Sequence, residues 1–235
     1  MLGGLWSLIT PLLMLAVYTL VFGSIFQSRW RSTTGNPIEF AVVLFAGVLV
    51  HGFLAECLQR APLLITSNPN FVKKVIFPLE VLTWVAIGNA LFHLLIALLA
   101  FLAAVLLWQG HLAPTVLLVP VLLLPLLLLT AGLVWILSSL GVYLRDLSQI
   151  MSIATSILMF LAPVFYPLES APERLRPLLY LNPITFIVVQ LRELCIWGHG
   201  MDWSGWALYM VVACPCAWLG LWWFSRTSKG FADVL

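Results

Sequence analysis

Four stretches of this chain, residues 1–28, 81–144, 147–168 and 203–225, contain no Asp, Glu, Lys or Arg. About 20 consecutive apolar residues cross a bilayer core as a helix. The composition agrees: 63% of the 235 residues are hydrophobic and 9% are charged, with a mean hydropathy of +1.09. Soluble domains are about half apolar and about a quarter charged. The alternation expected of a membrane β-barrel is absent, and helices satisfy their own backbone in lipid. The reading is an all-α polytopic membrane protein, a single domain over 1–235.

The breaks between apolar runs predict six spans, at about 5–26, 38–58, 81–108, 113–142, 150–165 and 203–224. The run 81–144 is too long for one crossing, and "QGHLAP", Gln109 to Pro114, divides it with Gly, His and Pro. Pro120 and Pro125 predict a bend in the fourth span. The N-terminus has no basic n-region, and its apolar run is too long for a signal peptide, so it reads as a mature membrane helix. An even span number puts both termini on one side. With the termini inside, the inner loops hold Arg60, Lys73, Lys74, Arg145, Arg226 and Lys229. The outer loops then hold Arg29, Arg31, Arg174, Arg176 and Arg192. Loop lysines and arginines set orientation, but two nearly equal sets do not choose one.

The formal net charge of +2 is scattered and gives no reason to invoke nucleic acid. Cys57, Cys195, Cys214 and Cys216 form no zinc-type pair and read as small packing residues. There is no Walker A, H-E-x-x-H or G-x-S-x-G motif. His51 and Glu56 in the second span, and Asn89 and His93 in the third, are polar groups in an expensive place. A metal or proton site from His51, His93 and Glu56 would require two spans to align three ligands. Interhelical hydrogen bonding is the plainer reading. An ATP-independent proton-coupled carrier or an intramembrane enzyme is therefore the alternative class.

Two short loops carry helix punctuation. In "NPNFVKKVIFPLE", Asn68 is a good N-cap and Pro69 suits the first helical position. Phe71, Val72, Val75, Ile76 and Leu79 share one face, and Asn70, Lys73 and Lys74 the other. Pro78 disfavours helix at Phe77. A surface helix over 68–78 follows, either anchored to lipid headgroups or docked to a partner protein. In "NPITFIVVQLRELCIW", Asn182 again caps and Pro183 again opens. This helix is too short to cross, so a re-entrant or interfacial region over 163–197 is predicted, sheltered by protein. A cysteine at Gln190 is expected to react with an impermeant thiol reagent, from outside if this region is periplasmic.

Taken in order, "LGGLWSLITPLLMLAVYTLVFGSIF", "NPNFVKKVIFPLE", "YLRDLSQI", "LAPVFYP" and "YLNPITFIVVQLRE" resemble the membrane (permease) subunit of type-2 ABC transporters in the polysaccharide and O-antigen export branch. The resemblance covers nearly the whole chain. It implies a channel formed by two copies, two cytosolic ABC ATPase subunits that carry the ATP and Mg, and cytosolic termini in the bacterial inner membrane. No enzyme activity, cofactor or metal is implied on this chain. The implied cargo is an undecaprenyl-diphosphate-linked glycan. Segment 68–78 becomes the cytosolic coupling helix, with Asn68, Pro69, Phe71, Lys73, Lys74, Phe77 and Pro78 as the residues that couple to the ATPase. Arg145 and Asp146 either contact the ATPase as well or form a local ion pair. The region 163–197 becomes short periplasmic helices between spans five and six, where Phe160, Phe165, Tyr166 and Phe186 are candidate substrate-path residues beside a packing role. The family also leads one to expect a basic amphipathic helix before the first span, whereas Met1-Leu2-Gly3-Gly4 already lies inside the first-span motif.

Overall fold

The computed structural model describes residues 37–74 and 78–234, with positions 9–11, 13, 14, 16, 17 and 20 before them. The predicted first span therefore lies largely outside the described residues. Among the described residues every regular element is helical. Among the described residues, four helices are long and apolar enough to cross a membrane: Ile38–Leu63, Glu80–Gln109, Pro114–Tyr143 and Trp203–Gly230.

Helix α1, Pro37–Arg60, opens on proline, carries Glu39 in its first turn and ends on Arg60. Each end thus complements the helix dipole. It is apolar along most of its length and mostly buried. A helix of that kind belongs in an interior. A 3-10 turn, Ala61–Leu63, leads to α2, Pro69–Lys74. Helix α3, Glu80–Gln109, stops where Gly110 takes a left-handed φ of 76°. Glycine adopts that conformation without a Cβ penalty.

The fourth apolar stretch begins as a 3-10 turn, Pro114–Leu118, and continues as α4, Val119–Tyr143. Pro120 falls in the first turn of α4, where its missing N–H costs no helical bond. Pro125 alone sits inside. Helix α5, Leu147–Phe160, both starts and stops earlier than the predicted span 150–165, and its 14 residues fall short of a straight crossing. Pro163 explains the early stop, since it lacks an N–H and disfavours helix at Ala162. Short helices α6, Arg176–Tyr180, and α7, Thr185–Arg192, precede α8, Trp203–Thr227, and a final turn, α9, Phe231–Val234.

The chain gathers into two compact units. The first draws on α1 as far as Gly52, on Phe92–Leu122 and on Met159–Asp202. Its core includes Phe45 against Phe101, with centroids 6.4 Å apart. The second draws on Phe53–Leu91, Leu123–Leu158 and the chain from Trp203 onward. Here α4 and α8 meet backbone to backbone. A Cβ on Gly132 would run into the Cys216 carbonyl, and one on Gly220 into the Gly132 carbonyl. Likewise Gly141 leaves room for the backbone of Pro62. Small residues at helix crossings are how membrane helices approach closely.

Candidate functional site

In the second unit, the connection before α2 is held by its own backbone. Ser67 N–H donates to the Leu63 carbonyl at 2.9 Å, and Asn68 N–H to Ile65 at 3.0 Å. The Asn68 carbonyl accepts from Phe71 N–H at 3.1 Å, while its side-chain amide reaches back to the Leu64 carbonyl at 2.9 Å. Asn68 thus ties α2 to the turn before it. Pro69, Asn70 and Phe71 are exposed, as is Pro78. Lys73 and Lys74 belong to α2, whereas Phe77 lies outside the described residues. Arg145 and Asp146 are exposed in the turn between α4 and α5, and no ion pair joins them. The Asp146 carbonyl accepts from Gln149 and Ile150 N–H, which starts α5. The described members of the predicted coupling set therefore share one unit. That unit also holds the end of α1, where Glu56 pairs with Arg60 at 3.0 Å and Gln59 donates to Thr155 Oγ1 at 2.8 Å.

The C-terminal tail belongs to the same unit. Ser139 and Thr227 hydroxyls bond at 2.6 Å. Phe231 is fully buried, its ring 6.2 Å from Tyr143 and 5.7 Å from Phe224. Helix α9 packs beside α2.

In the first unit, three of the four predicted substrate-path aromatics come together. Phe160, 70% exposed at the end of α5, faces Phe165 at 6.1 Å, and Tyr166 Oη donates to the Phe160 carbonyl at 3.3 Å. Phe186 is half-buried on α7. The turn that carries these rings is held by Arg192. Its Nε donates to the Val43 carbonyl at 2.8 Å, Nη1 to Pro163 at 2.6 Å and Nη2 to Val164 at 3.0 Å. Arg192 is 2% exposed. Burial pushes its pKa down to about 9, which leaves the guanidinium charged at neutral pH. Gly47 makes the space, since a Cβ there would stand 3.0 Å from Val164 Cγ1 and 3.1 Å from Arg192 Nη2.

After Arg192 the helix widens into a π turn, Glu193–Trp197, closed by Gly198 at a left-handed φ of 68°. Such a turn frees carbonyls for other partners. Thr115 Oγ1 takes the Leu194 carbonyl at 2.6 Å, and Gln109 Nε2 takes Ile196 at 2.8 Å. His199 Nδ1 meets Glu193 Oε2 at 2.5 Å.

Three expectations change here. Arg192 is an interior clamp rather than a charge in an outer loop. The signal was present, because an arginine between Leu191 and Leu194 in an apolar helix must find its partners inside the protein. Gln190 is buried and accepts Asp202 N–H at 3.0 Å, so a cysteine there is shielded. Helix α7 begins at Thr185, not at Pro183; Asn182 Oδ1 accepts Ile184 N–H at 3.2 Å, one residue before it. His51 and His93 are half-buried and Asn89 is exposed. Among the described residues, no group of three His, Cys, Asp or Glu could hold a metal ion.

The described residues are helical, with four helices long and apolar enough to cross a bilayer, which is the make-up of a multi-pass membrane protein. Residues 1–196 match the ABC-2 type transporter family, to which the chain belongs. It is 21% identical over 234 residues to an O-antigen export system permease protein, RfbA, from Klebsiella pneumoniae, covering 99% of this chain and 87% of that one. A second Klebsiella pneumoniae RfbA is 22% identical over 238 residues, covering 100% and 88%. The Myxococcus xanthus protein of the same name is 28% identical over 195 residues, covering 82% and 72%.

Proposed function

We propose that this chain is the permease subunit of an ATP-driven exporter that moves a lipid-linked polysaccharide, such as an undecaprenyl-diphosphate-linked O-antigen, across the bacterial inner membrane. Two copies form the channel, and separate ABC ATPase subunits hydrolyse the ATP. The observation that carries this reading is the similarity to O-antigen export permeases along almost the whole chain. In this reading the chain crosses six times as one transmembrane domain, with α5 and the turn that follows it to Val164 together making the fifth crossing. Helix α2 is the cytosolic coupling helix, with the Arg145–Asp146 turn beside it in role. The segment 163–197 is a re-entrant region at the periplasmic face, where Phe160, Phe165 and Tyr166 line the way out and Phe186 stands near it. Both termini are then cytosolic.

Reconstitution in proteoliposomes tests the function. Transport of lipid-linked glycan is expected only when an ABC ATPase subunit is co-reconstituted and ATP is supplied. Transport by this chain alone, driven by a proton gradient, would make it a carrier instead.

A cysteine probe tests the topology. Gly200 is exposed, and a Cβ there meets nothing within 4 Å. In a background cleared of native cysteines, Gly200→Cys is expected to react with an impermeant maleimide from the periplasmic side. Reaction from the cytosolic side alone reverses the orientation.

A further inference from the structure

The tail "SRTSKGFADVL" is polar apart from Phe231, Ala232, Val234 and Leu235, yet Phe231 is completely buried. Its ring stands edge-on to two others, Tyr143 at the end of α4 and Phe224 on α8, at interplanar angles of 61° and 75°. The approach to it is guided. The Ser139–Thr227 bond of 2.6 Å fixes the end of α8 to α4, and a Cβ on Gly230 would come within 3.3 Å of Tyr143 Oη. From this seat α9 lies beside α2. Neither helix can hold itself: α2 is described over six residues and α9 over four, and a helix of one or two turns has no stability of its own in water. Each takes its place from what it packs against.

We propose that the C-terminal tail is a brace for α2, and that Phe231 is the positioning residue that seats it. A surface helix that receives force from another polypeptide transmits motion only if it is backed by the rest of its unit. The edge-on aromatic seat supplies that backing through α4 and α8. The consequence for transport rests on the reading of α2 as the ATPase contact, whereas the bracing itself does not.

The test is hydrogen exchange on the full-length protein in lipid nanodiscs, without any ATPase, comparing the native chain with Phe231→Ala and Phe231→Leu. The amides of residues 71–74 are expected to exchange about tenfold faster or more in Phe231→Ala. Those of α4 and α8 should be unchanged, and Phe231→Leu, which refills most of the seat, should fall between. Unchanged exchange at 71–74 overturns the brace. So does an equal acceleration across α4 and α8, which would make Phe231 an ordinary packing residue. A second arm measures co-purification with a co-expressed ABC ATPase subunit, where Phe231→Ala is expected to lower recovery several-fold at equal membrane level. Faster exchange at 71–74 with full ATPase recovery upholds the brace and removes α2 from the ATPase contact, so the two ideas fail separately.

Discussion

Replacing Arg192 by methionine is expected to destabilise the protein by about 3–5 kcal/mol, read from the midpoint of denaturant unfolding in mixed micelles. Methionine keeps much of the apolar stem and removes the guanidinium, so the loss reports the clamp rather than a cavity. Three carbonyls lose a donor at once. Those of Pro163 and Val164 lie in a turn after α5 has ended, where helical N–H partners have run out. A buried acceptor left without a donor costs about 1–3 kcal/mol, and bonds to a charged group are the stronger kind. Lysine should recover only part of the loss. It carries one ammonium on a flexible stem, whereas the planar guanidinium reaches Val43 on α1 and the 163–164 turn together. A change within about 0.5 kcal/mol for Arg192→Met would show that packing alone holds the segment. Because Phe165 and Tyr166 directly follow the clamped carbonyls, loss of the clamp is also expected to loosen the proposed exit aromatics.

The second large effect is expected at the α4–α8 crossing. Gly132→Ala and Gly220→Ala should each cost about 1–3 kcal/mol, at the upper end because each methyl meets backbone. The Gly132 methyl would strike the Cys216 carbonyl and Ala217 N, and the Gly220 methyl the Gly132 carbonyl. Backbone cannot rotate away as a side chain can, so the helices must separate. The double variant is expected to cost much less than the sum, since one methyl already opens the crossing for the other. Gly88→Ala is the control: nothing lies within 4 Å of its Cβ. There the better helix propensity of alanine is the only term, and the change should be about 0.5–1 kcal/mol in the stabilising direction. Full additivity at the crossing would mean that the two contacts are independent and that the helices do not move as bodies.

Residues 161–202 are the part of the fold least legible in the sequence. The prolines at 163, 167, 172, 177 and 183 announced broken helices, because proline removes a donor wherever it falls. They did not announce what would take over the freed carbonyls. Arg192 does so from 28 residues away, and no local pattern encodes a partner that distant. The same holds for Thr115 and Gln109, which serve the π turn from 79 and 87 residues away. The start of α2 was more legible, since Pro69 opens it and the Asn68 carbonyl accepts Phe71 N–H, both local effects. The shared aromatic seat of Phe231 could not be read from a tail that looks polar.

The sequence by itself determined that this chain lives in a membrane as helices, and where four of them run. Charge-free length and proline or glycine punctuation act locally and leave lipid few other solutions. Only the tertiary structure decided that α5 stops short, that one arginine belongs to the interior and that four glycines are contact points. Each of those depends on which distant backbone comes within reach, and that is a property of the packed helices together.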